Sequence, residues 1–389
     1  MPVLVPGNRL ALLESGAEYF PALERAIDGA RDEIYLETYI FEDDDTGRRI
    51  GAALERAARR GAAVQLLVDG FGSKDLSRAL VDRMRAAGVV VLRFRPDISP
   101  WTLQTRRLRR MHRKLCVVDR RTGFIGGINI VDDTRHPDAV IPRYDYAVRV
   151  EGPVVADMHT ATKRLWTLVK WVQLRRRRVV LDRPLAPPTV IGSQAAALVV
   201  RDSLRNRRAI EHTYLAAIAQ AREEIIIASA YFFPGLDFRH ALIAAVRRGV
   251  RVVLLLQGQV DYFLMFHASR ALYGTLLDAG IEIHEYTRSH LHAKVAVIDG
   301  CWATVGSSNI DPFSLLLARE GNLVIEDRDF AHALRASLQA AIATGARRIE
   351  PLHWKALALP QRALTWACYQ VVRVTSGLFA YGRGDETKQ

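Results

Sequence analysis

Two stretches of the chain, MHRKLCVVD (residues 111–119) and LHAKVAVID (residues 291–299), each hold a histidine, a lysine two residues on and an aspartate five residues beyond that. The lysines lead into apolar, β-rich runs. His112 with Lys114, and His292 with Lys294, therefore start strands and alternate onto one face. A neutral imidazole is a competent nucleophile and proton carrier near pH 7, and an adjacent ammonium can neutralise an anionic reaction centre. The aspartates fit this set less well. Asp119 and Asp299 lie seven residues from their histidines, on the opposite parity, and about 16 Å from their lysines at roughly 3.3 Å per residue. Strand geometry makes them scaffold carboxylates near a turn.

The chain then reverses. RRTG (120–123) and DGC (299–301) read as turns, and FIGGINI and WATVGSSNI run back. Folding each hairpin about its turn returns Asn129 beside His112 and Asn309 beside His292. Gly126–Gly127 and Gly306–Ser307 permit close backbone approach to a ligand. Lysine, asparagine and Ser307 around an imidazole make a cradle for an oxyanion such as a phosphoryl group. A lone His-x-Lys carries little weight. Two copies with matched asparagines on the return strands carry much more.

The elements that must position these residues are also written twice. ALERAIDGARDEIYLETYIF, IGAALERAARRGAAVQLLVDG and LVDRMRAAGVVVLRF precede the first motif. YLAAIAQAREEIIIASAYFF, HALIAAVRRGVRVVLLLQG and ALYGTLLDAGIEIHEY precede the second. Each block reads as an amphipathic helix entering a short apolar strand, and in ARRGAAV and VRRGVRV a glycine can end the helix. This alternation predicts an α/β fold: two repeats with mixed β-sheets flanked on both faces by helices and related by a pseudo-twofold axis. The expected boundaries are residues 1–170 and 195–350 for the repeats, a basic, proline-rich linker over 171–194, and an apolar helical tail over 351–389.

The 389 residues carry a formal net charge of +13, which favours an anionic partner: nucleic acid, an anionic membrane surface or a phosphorylated substrate. Cys116, Cys301 and Cys368 show no metal-ligand spacing and read as small core residues. The opening MPVLVPGNRLALLESG lacks the pattern of a secretory signal, and no apolar run of about 20 residues predicts a membrane-crossing helix.

HRKLCVVDRRTGFIGGIN and HAKVAVIDGCWATVGSSN resemble the paired HxKxxxxD…G[GS]xN motif of the phospholipase D superfamily. The resemblance extends over about residues 8–160 and 195–345, through LETYIFEDD, LVDGFGS, RRMHRK, DYAVRVEGP, AYFFPG, ATVGSSNIDP and the triplet Glu320-Gly321-Asn322. Within the superfamily the chain is most similar to the shorter bacterial cardiolipin synthases. The resemblance implies that the half-sites close over one phosphorus, with His112 as nucleophile and His292 as general acid and base, although the residues alone leave the two interchangeable. It counts Asp119 and Asp299 in the catalytic motif and assigns phosphate binding to Lys114, Asn129, Lys294, Ser307 and Asn309. Asp145 follows the return strand after His112, and Glu320 follows the one after His292; the resemblance gives both the part of carboxylates that orient imidazoles. Glu37, polar amid apolar strand residues, either joins them at the cleft or is a hydrogen-bonded core carboxylate. The chemistry so implied needs no metal or other cofactor. His290 and His292 could chelate zinc, but no third ligand is evident and Lys294 would repel the cation.

The implied reaction is phosphatidyl transfer from one phosphatidylglycerol to another, giving cardiolipin and glycerol; the alternative is hydrolysis of phospholipid or nucleic acid at the same site. The lack of interleaved aromatic and basic residues argues against nucleic acid. Tyr39, Phe41, Tyr231, Phe232 and Phe233 are candidates for an apolar cleft wall or for plain core strands. Arg106, Arg107, Arg109, Arg110 and Arg113 would line the mouth. The tract 353–382, apolar and aromatic but broken by Arg362 and Arg373, suits either an interfacial helix or one packed on the protein. The expected location is peripheral, on the cytoplasmic side of the cell's inner membrane.

Overall fold

The structure, a computed structural model, describes residues 1–95, 110–132, 142–173, 189–202, 206–312, 318–355 and 358–381. The four arginines at 175–178 and the prolines 184, 187 and 188, expected in a linker, lie outside the described residues, as do Arg106, Arg107 and Arg109.

Fifteen strands form one mixed sheet. The first half contributes β1 (Val5–Glu14), β2 (Glu33–Thr38), β3 (Ala63–Asp69), β4 (Val90–Phe94), β5 (Lys114–Val118), β6 (Thr122–Gly126) and β7 (Tyr146–Glu151). The second contributes β8 (Gln194–Arg201), β9 (Glu224–Ser229), β10 (Arg251–Gln257), β11 (Glu282–Tyr286), β12 (Lys294–Ile298), β13 (Trp302–Gly306), β14 (Glu320–Glu326) and β15 (Ala346–Arg348). Outward from the centre the order is β1-β7-β6-β5-β2-β3-β4 on one side and β8-β14-β13-β12-β9-β10-β11 on the other, with β15 added at that edge. The two inner strands pair antiparallel, Val5 opposite Ala196, so the repeats share one sheet rather than owning two.

The parallel strands β2-β3-β4 and β9-β10-β11 need crossovers. Helices Asp45–Arg59 and Leu236–Arg247 supply the matching pair. Both end as the sequence predicts. Gly61 and Gly249 turn left-handed (φ +98° and +90°), and the next N–H groups, of Ala62 and Val250, reach back to the carbonyls of Ala57 and Ala245. Side chains of Asp44 and Ser77 cap the helices that follow them.

Helices do not cover both faces throughout. One apolar cluster draws on both halves: Leu115, Val117 and Val148 meet Val295, Val305 and Leu323, with Leu334 and Leu338 of helix Arg328–Gly345 closing it. Strand β6 touches β13 and β14, and β7 touches β13. Much of the inner face of each half is thus buried by the other half, because these strands are apolar on that side as well. Of the three cysteines, Cys116 and Cys368 are buried and Cys301 is exposed at its hairpin turn.

Candidate active site

The motif hairpins form as expected. Lys114 pairs with Gly126 and Val295 with Val305, which centres the turns on residues 120 and 300. Consecutive left-handed residues make each turn, Asp119-Arg120 and Asp299-Gly300. The histidines sit just before β5 and β12, at the opposite ends of these strands.

Each histidine-bearing segment leaves its own repeat's carboxylate and pairs with the other repeat. Met111 bridges to Arg319, and His112 N–H donates to the Arg319 carbonyl (3.0 Å). Leu291 bridges to Tyr144, and His292 N–H donates to the Tyr144 carbonyl (2.8 Å). The next residues are Glu320 and Asp145. His112 Nδ1 consequently lies 3.0 Å from Glu320 Oε1, and His292 Nδ1 lies 2.6 Å from Asp145 Oδ2. Counting along the sequence placed each carboxylate after the histidine of its own repeat; in the structure each serves the histidine of the other. With Nδ1–H donated to a carboxylate, Nε2 of each ring is left for chemistry, as a lone pair when the ring is neutral and as an acid when it is protonated.

The supports differ. Ser307 Oγ donates to Glu320 Oε2 (2.5 Å) and accepts from Gly321 N–H (3.1 Å), while its carbonyl stands 3.1 Å from His112 Nδ1. Its one hydroxyl proton is committed, so Ser307 positions Glu320 instead of binding phosphate as expected. The matching Gly127 must lack a side chain, since a Cβ there would stand 2.4 Å from the Asp145 carboxylate oxygens.

Lys114 Nζ donates to the His112 carbonyl (2.7 Å), and Lys294 Nζ does likewise to His292. Both ammoniums are buried. Burial lowers Lys114 to about 7, with Glu320 pulling it up and Lys294 pushing it down. Burial also lowers Lys294 to about 8 against the pull of Asp145, 3.9 Å away. The same burial depresses both imidazoles below their usual value, and His292 further feels Lys294, Lys114, Arg143 and His112. Burial raises Asp145 to about 6. The two imidazoles, two lysines and two carboxylates therefore share one electrostatic neighbourhood, poised to gain from a bound anion. Asn129 and Asn309 are buried; Asn129 Oδ1 accepts from Ile40 N–H (3.2 Å), leaving its NH₂ as donor, and Asn309 Oδ1 has no hydrogen-bond partner among the described residues.

Several expected members lie elsewhere. Asp119 and Asp299 are not in the cleft. Asp119 accepts from the N–H groups of Arg31, Asp32 and Glu33 (2.8, 2.8 and 2.9 Å), and Asp299 from those of Arg222, Glu223 and Glu224 (2.8, 2.9 and 3.0 Å). Each ties its hairpin turn to the start of β2 or β9. Glu37 orients no histidine, because the Arg113 guanidinium takes both its oxygens in a buried pair (Nε–Oε2 2.7 Å, NH2–Oε1 2.9 Å). Arg113 is accordingly absent from the mouth. Phe41, Phe232 and Phe233 are core residues. His290 is held by Gln257 (2.9 Å), and no group of three or more metal-ligating side chains occurs among the described residues.

Tyr39, one of the candidate wall residues, does stand beside a histidine, and sequence reasoning missed two further positions. Tyr39 packs its ring 4.9 Å from that of His112, with the Lys114 ammonium 5.3 Å from its centroid. Asp69 and Gln257 end the matching strands LLVD and LLLQ and accept from Met111 N–H (2.8 Å) and Leu291 N–H (3.1 Å), anchoring the histidine segments. Their signal was a polar residue in the same slot of both repeats.

The chain is similar to known proteins over most of its length. The family described as "Cardiolipin synthase, PLD-like domain" matches residues 23–166 and 214–342. Cardiolipin synthase B of Escherichia coli (strain K12) is 42% identical over 354 residues, covering 88% of this chain and 83% of that protein. A cardiolipin synthase of Geobacillus kaustophilus is 33% identical over 330 residues, covering 84% of this chain and 64% of that one. In fold, the chain is similar to the crystal structure of phosphatidylserine synthase from Haemophilus influenzae Rd KW20, with a TM-score of 0.69, 15% identity and 95% and 94% of the two chains covered. With both half-sites in place and relatives matched over most of its length, the chain belongs to the phospholipase D-like cardiolipin synthase family.

Proposed function

We propose that the chain is a cardiolipin synthase that moves a phosphatidyl group from one phosphatidylglycerol to another and releases glycerol. The observation that carries the reading is the crosswise pairing of His112 with Glu320 and His292 with Asp145 around two buried lysines. His112 Nε2 attacks the donor phosphorus, and the P–O bond to glycerol breaks as His292 protonates the departing oxygen. His292, now neutral, takes the proton of a primary hydroxyl on the second phosphatidylglycerol. That oxygen attacks phosphorus, the P–N bond breaks, and His112 recovers its lone pair. Lys114, Lys294 and the amides of Asn129 and Asn309 face the phosphoryl oxygens, a role that fits buried cations waiting for an anion.

The bilayer partner is part of this reading. No described helix is long and apolar enough to cross a membrane. Helix Leu359–Tyr381 packs Cys368 and Val372 into the second half's core and leaves Leu364, Trp366, Val371 and Val374 exposed. Val260, Tyr262 and Phe263 are exposed at the start of helix Phe263–Arg270, against which that helix packs. We place this face on the anionic cytoplasmic leaflet of the inner membrane.

Purified protein and phosphatidylglycerol vesicles test the chemistry. Cardiolipin and glycerol should appear in equal amounts, and an acid-labile, base-stable phosphohistidine should form in the wild type but not in His112→Ala. Phosphatidic acid as the sole lipid product would make the protein a hydrolase.

A further inference from the structure

The half-sites match in their histidines, lysines and carboxylates but not in the cations around them. Met111 bridges Arg319 and Leu291 bridges Tyr144, so Arg319 corresponds to Tyr144, and the residues one step earlier, Ala318 and Arg143, correspond to each other. The His292 side therefore carries an arginine where the His112 side carries an alanine. Arg319 does not make up the difference, because its guanidinium lies over the Phe94 ring of β4, 6.0 Å from the centroid.

The backbone sets where Arg143 stands. Tyr144 N–H donates to the His290 carbonyl (2.9 Å), and the Tyr144 carbonyl accepts from His292 N–H (2.8 Å), so the segment runs extended beside the second histidine. Residues 143 and 145 alternate onto one face, about 7 Å apart at roughly 3.4 Å per residue. Asp145 on that face holds His292, and Arg143, partly exposed, is the next side chain along it. Its charge reaches the whole neighbourhood. Burial is the largest influence on Asp145, His292 and Lys294, and all three feel Arg143 as well, as do Tyr231 and Tyr262 of the second half and Glu42 of the first.

In-line displacement at phosphorus puts the nucleophile on one side and the leaving or entering oxygen on the other. With His112 as nucleophile, the acceptor lipid enters from the His292 side. Its reacting hydroxyl ends a glycerol whose other end carries a second phosphate, so the reaction draws two anions close together, and they repel unless a cation stands by each. Lys114 and Lys294 belong to the phosphoryl group that reacts. We propose that Arg143 holds the second phosphate, the one that does not react, and so makes the site select a phosphoglycerol headgroup over a free alcohol. A guanidinium meets a phosphate with two parallel N–H donors, which fixes the direction of the glycerol and presents its far hydroxyl to His292. No further reactant is needed: the hydroxyl proton passes to His292, the oxygen bonds to phosphorus, and the bond from phosphorus to His112 breaks. The inference rests on the transferase reading above and on His292 as its acid and base.

The test gives the full chain vesicles of phosphatidylglycerol in buffer containing radiolabelled glycerol and follows initial rates. Capture of the intermediate by glycerol yields labelled phosphatidylglycerol, and capture by a second phosphatidylglycerol yields cardiolipin. Both routes pass through His112 and His292, so damage to folding, docking or proton transfer cancels in the ratio of the two products. Arg143→Gln should lower cardiolipin relative to labelled phosphatidylglycerol by about tenfold or more, the loss expected for a charge-assisted bond to phosphate. Arg143→Lys, which keeps the charge without the fork, should recover part of that ratio. An unchanged ratio in Arg143→Gln, whatever happens to total turnover, overturns the role of Arg143 while leaving the transferase standing. Phosphatidic acid as the sole lipid product of the wild type overturns the transferase reading and the role of Arg143 with it.

Discussion

Glu320 and Asp145 act at a distance of one hydrogen bond from the histidines, and their removal should be felt through them. In Glu320→Gln the amide can present either oxygen or nitrogen to His112 Nδ1, so the reactive tautomer is no longer fixed. A fall in phosphohistidine formation of about 10²-fold or more is expected, by analogy with losses when an imidazole's orienting carboxylate is neutralised. Asp145→Asn should slow both steps that need His292, departure of the donor's glycerol and deprotonation of the acceptor. The buried charges also set a pH profile. Lys114 near 7 and Lys294 near 8 lose their protons as pH rises, and an anion loses its counter-charge. Competitive inhibition by inorganic phosphate should weaken between pH 7 and 9. Burial depresses His112, which must be neutral to attack, so the acid limb of kcat/KM should fall below the ordinary histidine value of about 6.5. The histidine–lysine pairs and their hairpins were legible because strand parity and hairpin symmetry are local. The partner of each imidazole was not, because two short bridges from the opposite repeat set it and no count along one repeat reaches it.

At the scale of elements, the aspartates of the repeated motif are fasteners. Each accepts three backbone N–H groups at the first residues of β2 or β9 while its own backbone sits left-handed at φ 50°. Replacing either with alanine leaves three N–H groups without their acceptor and should cost about 2–4 kcal/mol, read as a lower urea midpoint at constant slope. Loss of turnover should follow loss of folded protein. A similar logic applies under the first half-site. Glu37 and Arg113 are both buried, and Glu37→Ala strands a guanidinium, at a cost of about 3–5 kcal/mol. A loss of no more than about 0.5 kcal/mol in either series, the size of an ordinary surface substitution, would remove the fastening role. The parity argument had already set Asp119 apart from Lys114, since a carboxylate at the far end of a short strand cannot double back. It could not say what the carboxylate held, because β2 belongs to a much earlier part of the chain, before two crossovers. Glu37 remained open for the same reason: whether a polar residue within an apolar strand meets a cleft or a cation depends on the neighbouring strand, here through Arg113.

The whole molecule joins its repeats twice, through β1 and β8 edge to edge and through the apolar cluster between their inner faces, and neither half contains a complete histidine–carboxylate pair. The doubling and the helix–strand order were plain in the sequence. The continuous sheet and the shared core were not, since apolar strands look alike whether helices or a second repeat cover them. The carboxyl-terminal helix shows the same ambiguity, resolved face by face: Cys368, Val372 and Tyr369 join the core, the last with its ring 5.4 Å from that of Phe233, while Trp366 and Val371 point away. Removing the helix would therefore uncover core residues and confuse folding with docking. Substitutions on the outer face alone separate them. Trp366→Glu with Val371→Glu replaces two apolar side chains that a bilayer interface would bury, at about 1.5–3 kcal/mol for each side chain fully buried, discounted for shallow insertion to about 2 kcal/mol in all. At tenfold per 1.4 kcal/mol, co-flotation with phosphatidylglycerol vesicles should weaken by about 30-fold while the thermal midpoint stays put. A lowered midpoint would show that the face is packed on the protein, and undiminished flotation with an unchanged midpoint would move the bilayer to another side of the molecule.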